Sequence, residues 1–363
     1  MTTLLGMRRS TDMASGVLIC VACLLFIQSS SLRSSIDEIA LSAPSSAGGA
    51  ALSEVSVPSR RTTASSVRGS ASRRLAAPPN RTAEAQQQGL LVFTKIPRCG
   101  STAVGHILHE LSRSRGFSVW DEPPYRVRRL LPETEQLALK AVKEISQVPK
   151  PAVVIKEKSY IDFSRHGHQK PIYVSMVRDP LEHVNSWFYW LRAPFAVVER
   201  ALSFGKDNAV SHLPKAPFLK KNFETCHESK DPECNYDEGT SRIGHPTQAF
   251  CTYSSECARL GSQAALQEAK RVVEEQYAVV GLLEDWDVSL AVMERLVPRF
   301  FAGASDIYRE KLARNRTLRN ENFYKPKLRA ALRQKMVKSF QAEIEFYDFV
   351  KQRLYNQYES LKD

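Results

Sequence analysis

The sequence predicts an α/β domain, a central, mostly parallel sheet flanked by helices, preceded by a long segment with no core of its own. Three observations carry that reading. Short apolar runs that end at turns recur along the chain, as buried strands do. Stretches of helical periodicity lie between and after them, and this alternation marks a largely parallel sheet. The composition also changes abruptly at Gly89, where polar, small-residue sequence gives way to the first apolar run.

The chain has 363 residues, 43% of them hydrophobic and 25% charged, which is ordinary globular composition. A formal charge of +12 is not ordinary. It implies a polyanionic partner: nucleic acid, anionic lipid or an acidic polysaccharide. Residues 1–12 form a short tail containing Arg8 and Arg9, and an apolar run follows from Met13 to Ile27. That run is short against the roughly 20 residues of a usual span. It reads as a signal anchor over 13–28 with the arginines held in the cytosol, or as a cleaved signal peptide with small residues at Ser29–Ser31. Residues 29–88 are rich in Ser, Ala, Arg and Pro and read as a flexible lumenal stem. Asn80 opens a glycosylation sequon within the stem, and Asn315 opens another in the domain at 89–363.

From Gly89 the elements follow in turn. Leu90-Leu-Val-Phe-Thr94 is a buried strand. A helix begins at Ser101, carries Val104, Ile107, Leu108 and Leu111 on one face, and closes at Gly116. Further strands fall at Ala152–Ile155, Ile172–Val177 and Ala278–Leu283. Helices fall at Glu133–Ser146, Pro180–Leu191, Gln263–Gln276 and Asp285–Leu296. The segment Pro326–Leu361 has long helical periodicity and is expected outside the sheet. Cysteines come in two close pairs, Cys226 with Cys234 and Cys251 with Cys257. Their gaps exceed the C-x2-4-C spacing of zinc sites, which favours disulfides and an oxidising compartment. Cys20 and Cys23 lie in the apolar run, and Cys99 is left over.

Two stretches can carry chemistry. In Lys95-Ile-Pro-Arg-Cys-Gly-Ser-Thr102 a strand ends in a tight turn and Ser101-Thr102 opens a helix, so backbone amides and the helix dipole can face an anion. The G-x-x-x-x-G-K-[ST] pattern of a nucleotide kinase is absent. Ser101 as a simple helix cap is the competing account. In Val174-Ser-Met-Val-Arg-Asp-Pro180 a strand ends at the position where open α/β sheets bind ligands. Arg178 can fork a phosphate there and Ser186 can add a hydroxyl; an Arg178–Asp179 surface pair is the bland alternative.

Together, about 75 residues apart, the two stretches resemble the sulfotransferases that use 3′-phosphoadenosine 5′-phosphosulfate (PAPS), which have a P-loop-like fold. The resemblance sharpens to the uronosyl 2-O-sulfotransferases of heparan and chondroitin/dermatan sulfate. It is carried by Tyr160-Ile-Asp-Phe163, Lys170–Pro180, Phe250–Cys257, Val280–Asp285, Pro298–Gly303 and Glu343–Tyr347, and covers essentially Leu90 to the C-terminus. Both cysteine pairs fall where that family has its disulfides.

The resemblance implies that Gly100, Ser101 and Thr102 cradle the 5′-phosphosulfate, and that Arg178 and Ser186 hold the 3′-phosphate. Arg319 matches a later arginine of the cofactor loop. Arg98 stands where the family's loop has Lys beside the leaving group, an exchange that spreads the charge over a planar fork, and Lys95 can support it. Glu157 stands where the family has the His that acts as general base. A carboxylate can take that role; His166 and His168 are the alternative. His106 and His109 are expected on the acceptor side. Lys215, Lys220, Lys221, Arg314, Arg316 and Arg319 are expected along a groove for a sulfated chain. No metal is implied.

The expectation is therefore a Golgi single-pass type II membrane protein, homotrimeric by resemblance, with no nucleic-acid partner. It would transfer sulfate to the 2-hydroxyl of a hexuronic acid in a glycosaminoglycan. A catalytically silent glycan-binding homologue, or a sulfotransferase for another polysaccharide, is the rival.

Overall fold

One parallel sheet organises the domain: β1 (Leu90–Thr94), β2 (Ser118–Asp121), β3 (Ala152–Lys156), β4 (Ile172–Val177) and β5 (Tyr277–Leu282), in the order β2-β3-β1-β4-β5. The computed structural model describes residues 89–121, 135–157, 159–205, 208–236, 245–251, 255–315, 319–322 and 325–362. These all fall in one of the chain's two compact units, residues 73–363. The tail, apolar run and stem, with Cys20, Cys23 and Asn80, lie outside the described residues, as does Arg316. No described helix is long and apolar enough to cross a membrane.

The centre of the sheet follows from composition. All five residues of β1 and all six of β4 are buried, as strands covered by helices on both faces must be. β1 pairs with β3 from Leu90↔Ala152 to Thr94↔Lys156, and with β4 from Leu91↔Ile172 to Thr94↔Ser175. The chain leaves β1 toward β2 and β3 on one side, and leaves β4 toward β5 on the other. A crevice therefore opens above the carboxyl ends of β1 and β4, the usual ligand position in such sheets.

The structure corrects the expected elements in two places. The sheet is wholly parallel and has a fifth strand, β2, that the sequence did not reveal. Ser118-Val-Trp-Asp121 is a four-residue edge whose first two residues are half-buried and last two exposed, so it lacks the apolar run that marks a central strand. The long C-terminal periodicity resolves into two helices, a division that the sequence reading did not make.

The principal helices are α1 (Ser101–Arg115), α2 (Glu135–Ser146), α3 (Pro180–Trp190), α4 (Pro194–Leu202), α5 (Gln263–Gln276), α6 (Trp286–Leu296), α7 (Ala330–Ser339) and α8 (Gln341–Glu359). Phe340 separates α7 from α8 and is fully buried in a second core with Leu181, Phe188 and Phe223. Nothing local stops the helix there: the break is set by where Phe340 must go. α8 lays Phe346, Val350 and Leu354 on the main core. The expected disulfides Cys226–Cys234 and Cys251–Cys257 are formed, and Cys99 is free and buried.

Candidate functional site

The loop after β1 is shaped by Gly100, which has φ +86°. A Cβ there would lie 2.9 Å from Leu283 Cδ1 and 3.0 Å from Trp286 Cζ2, so only glycine fits. Gly100 itself occupies the N-cap position of α1, and no side chain caps the helix. Ser101 is thus the first helical residue, not a cap. The first-turn amides of α1 lack the side-chain acceptor that helix starts usually recruit, which leaves them for an anion. Asn320 Nδ2 donates weakly to Thr102 Oγ1 at 3.5 Å.

Arg178 and Ser186 come from the end of β4 and from α3. Asp179 caps α3 through Leu181 N and Glu182 N and is gripped by Arg333 at 2.6 Å, so the segment that carries both residues is fixed at its start. Ser186 is buried and accepts from Arg98 Nε at 3.2 Å. Arg98 also donates to Asn320 O at 2.8 Å. Burial and the neighbouring Arg178 cation lower the Arg98 guanidinium to about 10. Arg178 Nη1 reaches Arg98 O at 3.4 Å, while its Nε, like that of Arg319, is buried without a hydrogen-bond partner among the described residues. Both arginines are half-buried and have a carboxylate neighbour, Glu182 for Arg178 at 3.8 Å and Glu321 for Arg319 at 3.1 Å. The donors left over suit the oxygens of a multiply charged anion. The wall fits a phosphate.

Lys95 and Glu157 lie side by side. They directly follow the paired residues Thr94 and Lys156, and Lys95 N donates to Lys156 O at 2.8 Å. Glu157 is buried, and Lys95 Nζ meets Asp121 Oδ1 at 3.4 Å. Lys156 turns its charge away onto Glu144 at 3.4 Å.

A single cavity of about 1110 Å³ is lined by Lys95, Arg98, Gly100, Ser101, Thr102, Glu157, Arg178, Ser186 and Arg319. That space exceeds what a drug-sized ligand needs, roughly 300–1,000 Å³. The cavity thus gathers the residues expected at the donor together with Glu157, but not the alternative bases His166 and His168. Within the set Arg98 is turned to Ser186, while Lys95, whose ammonium meets Asp121, and Glu157 leave adjacent strand ends.

The expected acceptor residues are not gathered. His106 and His109 are exposed on α1 and line no part of the cavity. Lys220 and Lys221 line a separate recess of about 390 Å³ with Tyr189 and Arg192. Lys221 is engaged by Asp231 at 2.8 Å and Glu233 at 3.1 Å. Lys215 and Arg314 are exposed, as is Asn315. His166 and His168 lie on and just after a short turn beyond β3, outside the cavity lining.

Sequence reading missed the aromatic walls. Trp187 and Trp190 stack at 5.3 Å, and Trp286 and Tyr308 at 4.7 Å, all four lining the cavity. The spacing of Trp187 and Trp190 on a helix beginning at Pro180 was the available signal. His183 and His245, both buried in the cavity wall, were missed as well.

Comparison with known proteins agrees with this geometry. A uronyl 2-sulfotransferase homolog, pip, of Drosophila melanogaster is 31% identical over 280 residues, 74% of this chain and 53% of the relative. The chain thus spans about half the length of that protein. Heparan sulfate 2-O-sulfotransferase 1 of Xenopus laevis is 27% identical over 264 residues, covering 72% of this chain and 69% of the relative. The human enzyme of the same name is 26% identical over 272 residues, 74% and 71% of the two chains. Residues 85–350 match the sulfotransferase family as a whole. On that match, and on a parallel sheet whose first strand leads into an uncapped glycine-shaped loop, the chain belongs to the sulfotransferase family.

Proposed function

We propose that this protein transfers sulfate from PAPS to the 2-hydroxyl of a hexuronic acid in a glycosaminoglycan. One observation carries the chemistry: Lys95 and Glu157 directly follow the paired residues Thr94 and Lys156 that end β1 and β3, and line the same cavity as Arg178 and Ser186. The names of the similar proteins support the acceptor class.

In this reading the first-turn amides of α1 with Ser101 and Thr102 hold the 5′ end of the donor, and Arg178, Ser186 and Arg98 hold its 3′-phosphate. The donor supplies an activated sulfuryl group on a phosphate leaving group. Glu157 takes the proton of the acceptor hydroxyl as its oxygen bonds to sulfur. The bond from sulfur to the bridging oxygen breaks, and Lys95 stabilises the charge left on the phosphate. Fixing both partners for in-line displacement supplies the rest. The leaving-group role expected for Arg98 thus passes to Lys95, and Arg98 becomes a donor-binding cation.

The disulfides and the apolar run at 13–28 support a membrane-tethered chain in the oxidising lumen of the secretory pathway, the Golgi for this chemistry. The test is a transfer assay: purified chain, sulfate-labelled PAPS, and desulfated heparan, chondroitin and dermatan chains. Label is expected on uronic acid at O2. Nucleotide binding without transfer to any chain would favour the silent glycan-binding rival. Glu157→Gln is expected to lower kcat by about 10²–10⁴-fold, and an unchanged rate would remove Glu157 from the mechanism.

A further inference from the structure

We infer that His183 is a positioning residue of the donor loop, fixing the Pro97–Arg98 peptide plane so that the loop presents its amides to the donor; this rests on the loop being the nucleotide site. A loop that turns its N–H groups toward an anion turns its carbonyls into the protein. There each one needs a donor. Four carbonyls between Ile96 and Gly100 have such donors. Ile96 O accepts from Cys99 N at 3.2 Å and Gly100 O from Val104 N at 3.1 Å. Arg98 O takes Arg178 Nη1 at 3.4 Å. Pro97 O is met by His183 Nε2 at 2.8 Å.

The Pro97 carbonyl can only accept, so Nε2 of His183 carries the proton. In the neutral ring Nδ1 is then a bare lone pair, and Nδ1 has no hydrogen-bond partner among the described residues. The ring's one bond is spent on the loop. What it holds is unusual: Arg98 has φ +64°, a left-handed conformation uncommon for a residue with a long side chain. Such a conformation persists where its surroundings over-determine it. Both flanking peptide planes are pinned here, the first by His183 and the second by Arg178.

His183 lies on α3 between Arg178 and Ser186, and α3 is anchored through Asp179. One helix start therefore holds the proposed 3′-phosphate site and also orients the 5′ loop. Losing His183 should loosen the donor and leave the acceptor alone.

The experiment is calorimetric titration of the purified chain with adenosine 3′,5′-bisphosphate, the spent nucleotide, together with donor and acceptor KM. His183→Leu is expected to weaken nucleotide binding tenfold or more and to raise donor KM alone. His183→Gln, whose amide donates at similar reach, is expected within about threefold of the unmodified chain. Ile145→Ala, on the buried face of α2, supplies a similar loss of melting temperature without touching the loop, and is expected to bind normally. Unchanged affinity in His183→Leu would overturn the inference, as would equal weakening in Ile145→Ala. Should the leucine variant not fold, His183→Asn, with a shorter amide, replaces it; equal affinity of the Asn, Gln and unmodified chains would overturn the inference. An unmodified chain that binds no nucleotide would instead sink the proposed function and this inference with it.

Discussion

The donor wall and the expected acceptor residues are built in opposite ways. Lys95 to Thr102 and Arg178 follow the ends of buried strands and Ser186 lies on the helix after one, with backbone and side chains tied to one another across α1 and α3. His106, His109, Lys215 and Lys220 stand exposed on helices and short turns. Nearby, α4 leaves Phe195, Val198 and Leu202 36–44% exposed. The contrast teaches that the nucleotide half is specified by backbone geometry, which tolerates few substitutions. The residues expected to meet the acceptor have side chains whose placement the core does not dictate.

The largest effect should come from the pair that joins the two halves. Lys95→Ala is expected to lower kcat by about 10²–10³-fold with little change in nucleotide affinity, read by steady-state kinetics beside calorimetry. A rise in donor KM alone would move Lys95 from leaving group to binding. Next is Gly100→Ala, which must overcome the left-handed backbone and the contact with Leu283 and Trp286. It is expected to cost about 1–2 kcal/mol of stability and to weaken nucleotide binding, checked by melting and titration. Full tolerance would mean that the loop is not rigid.

A pH effect of comparable size separates the halves further. Burial, with Arg178 and His245 nearby, holds His183 at about 4, below its ordinary 6.5. The unfolded chain then takes up this proton below 6.5 while the folded chain does so only near 4. The stability is present above 6.5 and is lost as pH falls from 6.5 towards 4, by up to roughly 3 kcal/mol. Melting curves across that window should fall less steeply in His183→Gln; an identical slope would assign the acid limb elsewhere. Smallest should be Lys220→Ala and His109→Ala, expected within twofold in every kinetic constant because neither lines the cavity. A tenfold rise in acceptor KM would return them to the acceptor site.

Much of the donor half was legible because it is local. A buried strand, a glycine turn and a helix start must be contiguous to cradle a phosphate, so Lys95–Thr102 announced itself. The same holds for the strand end at Arg178 and its helix with Ser186. Cysteine spacing together with the family resemblance gave both disulfide pairings. By contrast, β2 was invisible because an exposed four-residue edge has no apolar run. The break at Phe340 was invisible because tertiary burial sets it and no Gly or Pro marks it.

The sequence by itself therefore determined the fold class, the central strands, the cysteine pairing and a set of residues that the fold brings to one cavity. Each depends on short-range pattern or on chain-long similarity. Only the tertiary structure decided which of those residues face one another. Register brought the strand ends before Lys95 and Glu157 together, and packing left Arg98 with Ser186. His183 came under Pro97 from 86 residues away. Strand register and helix packing are fixed by the whole core, and no window of sequence contains them.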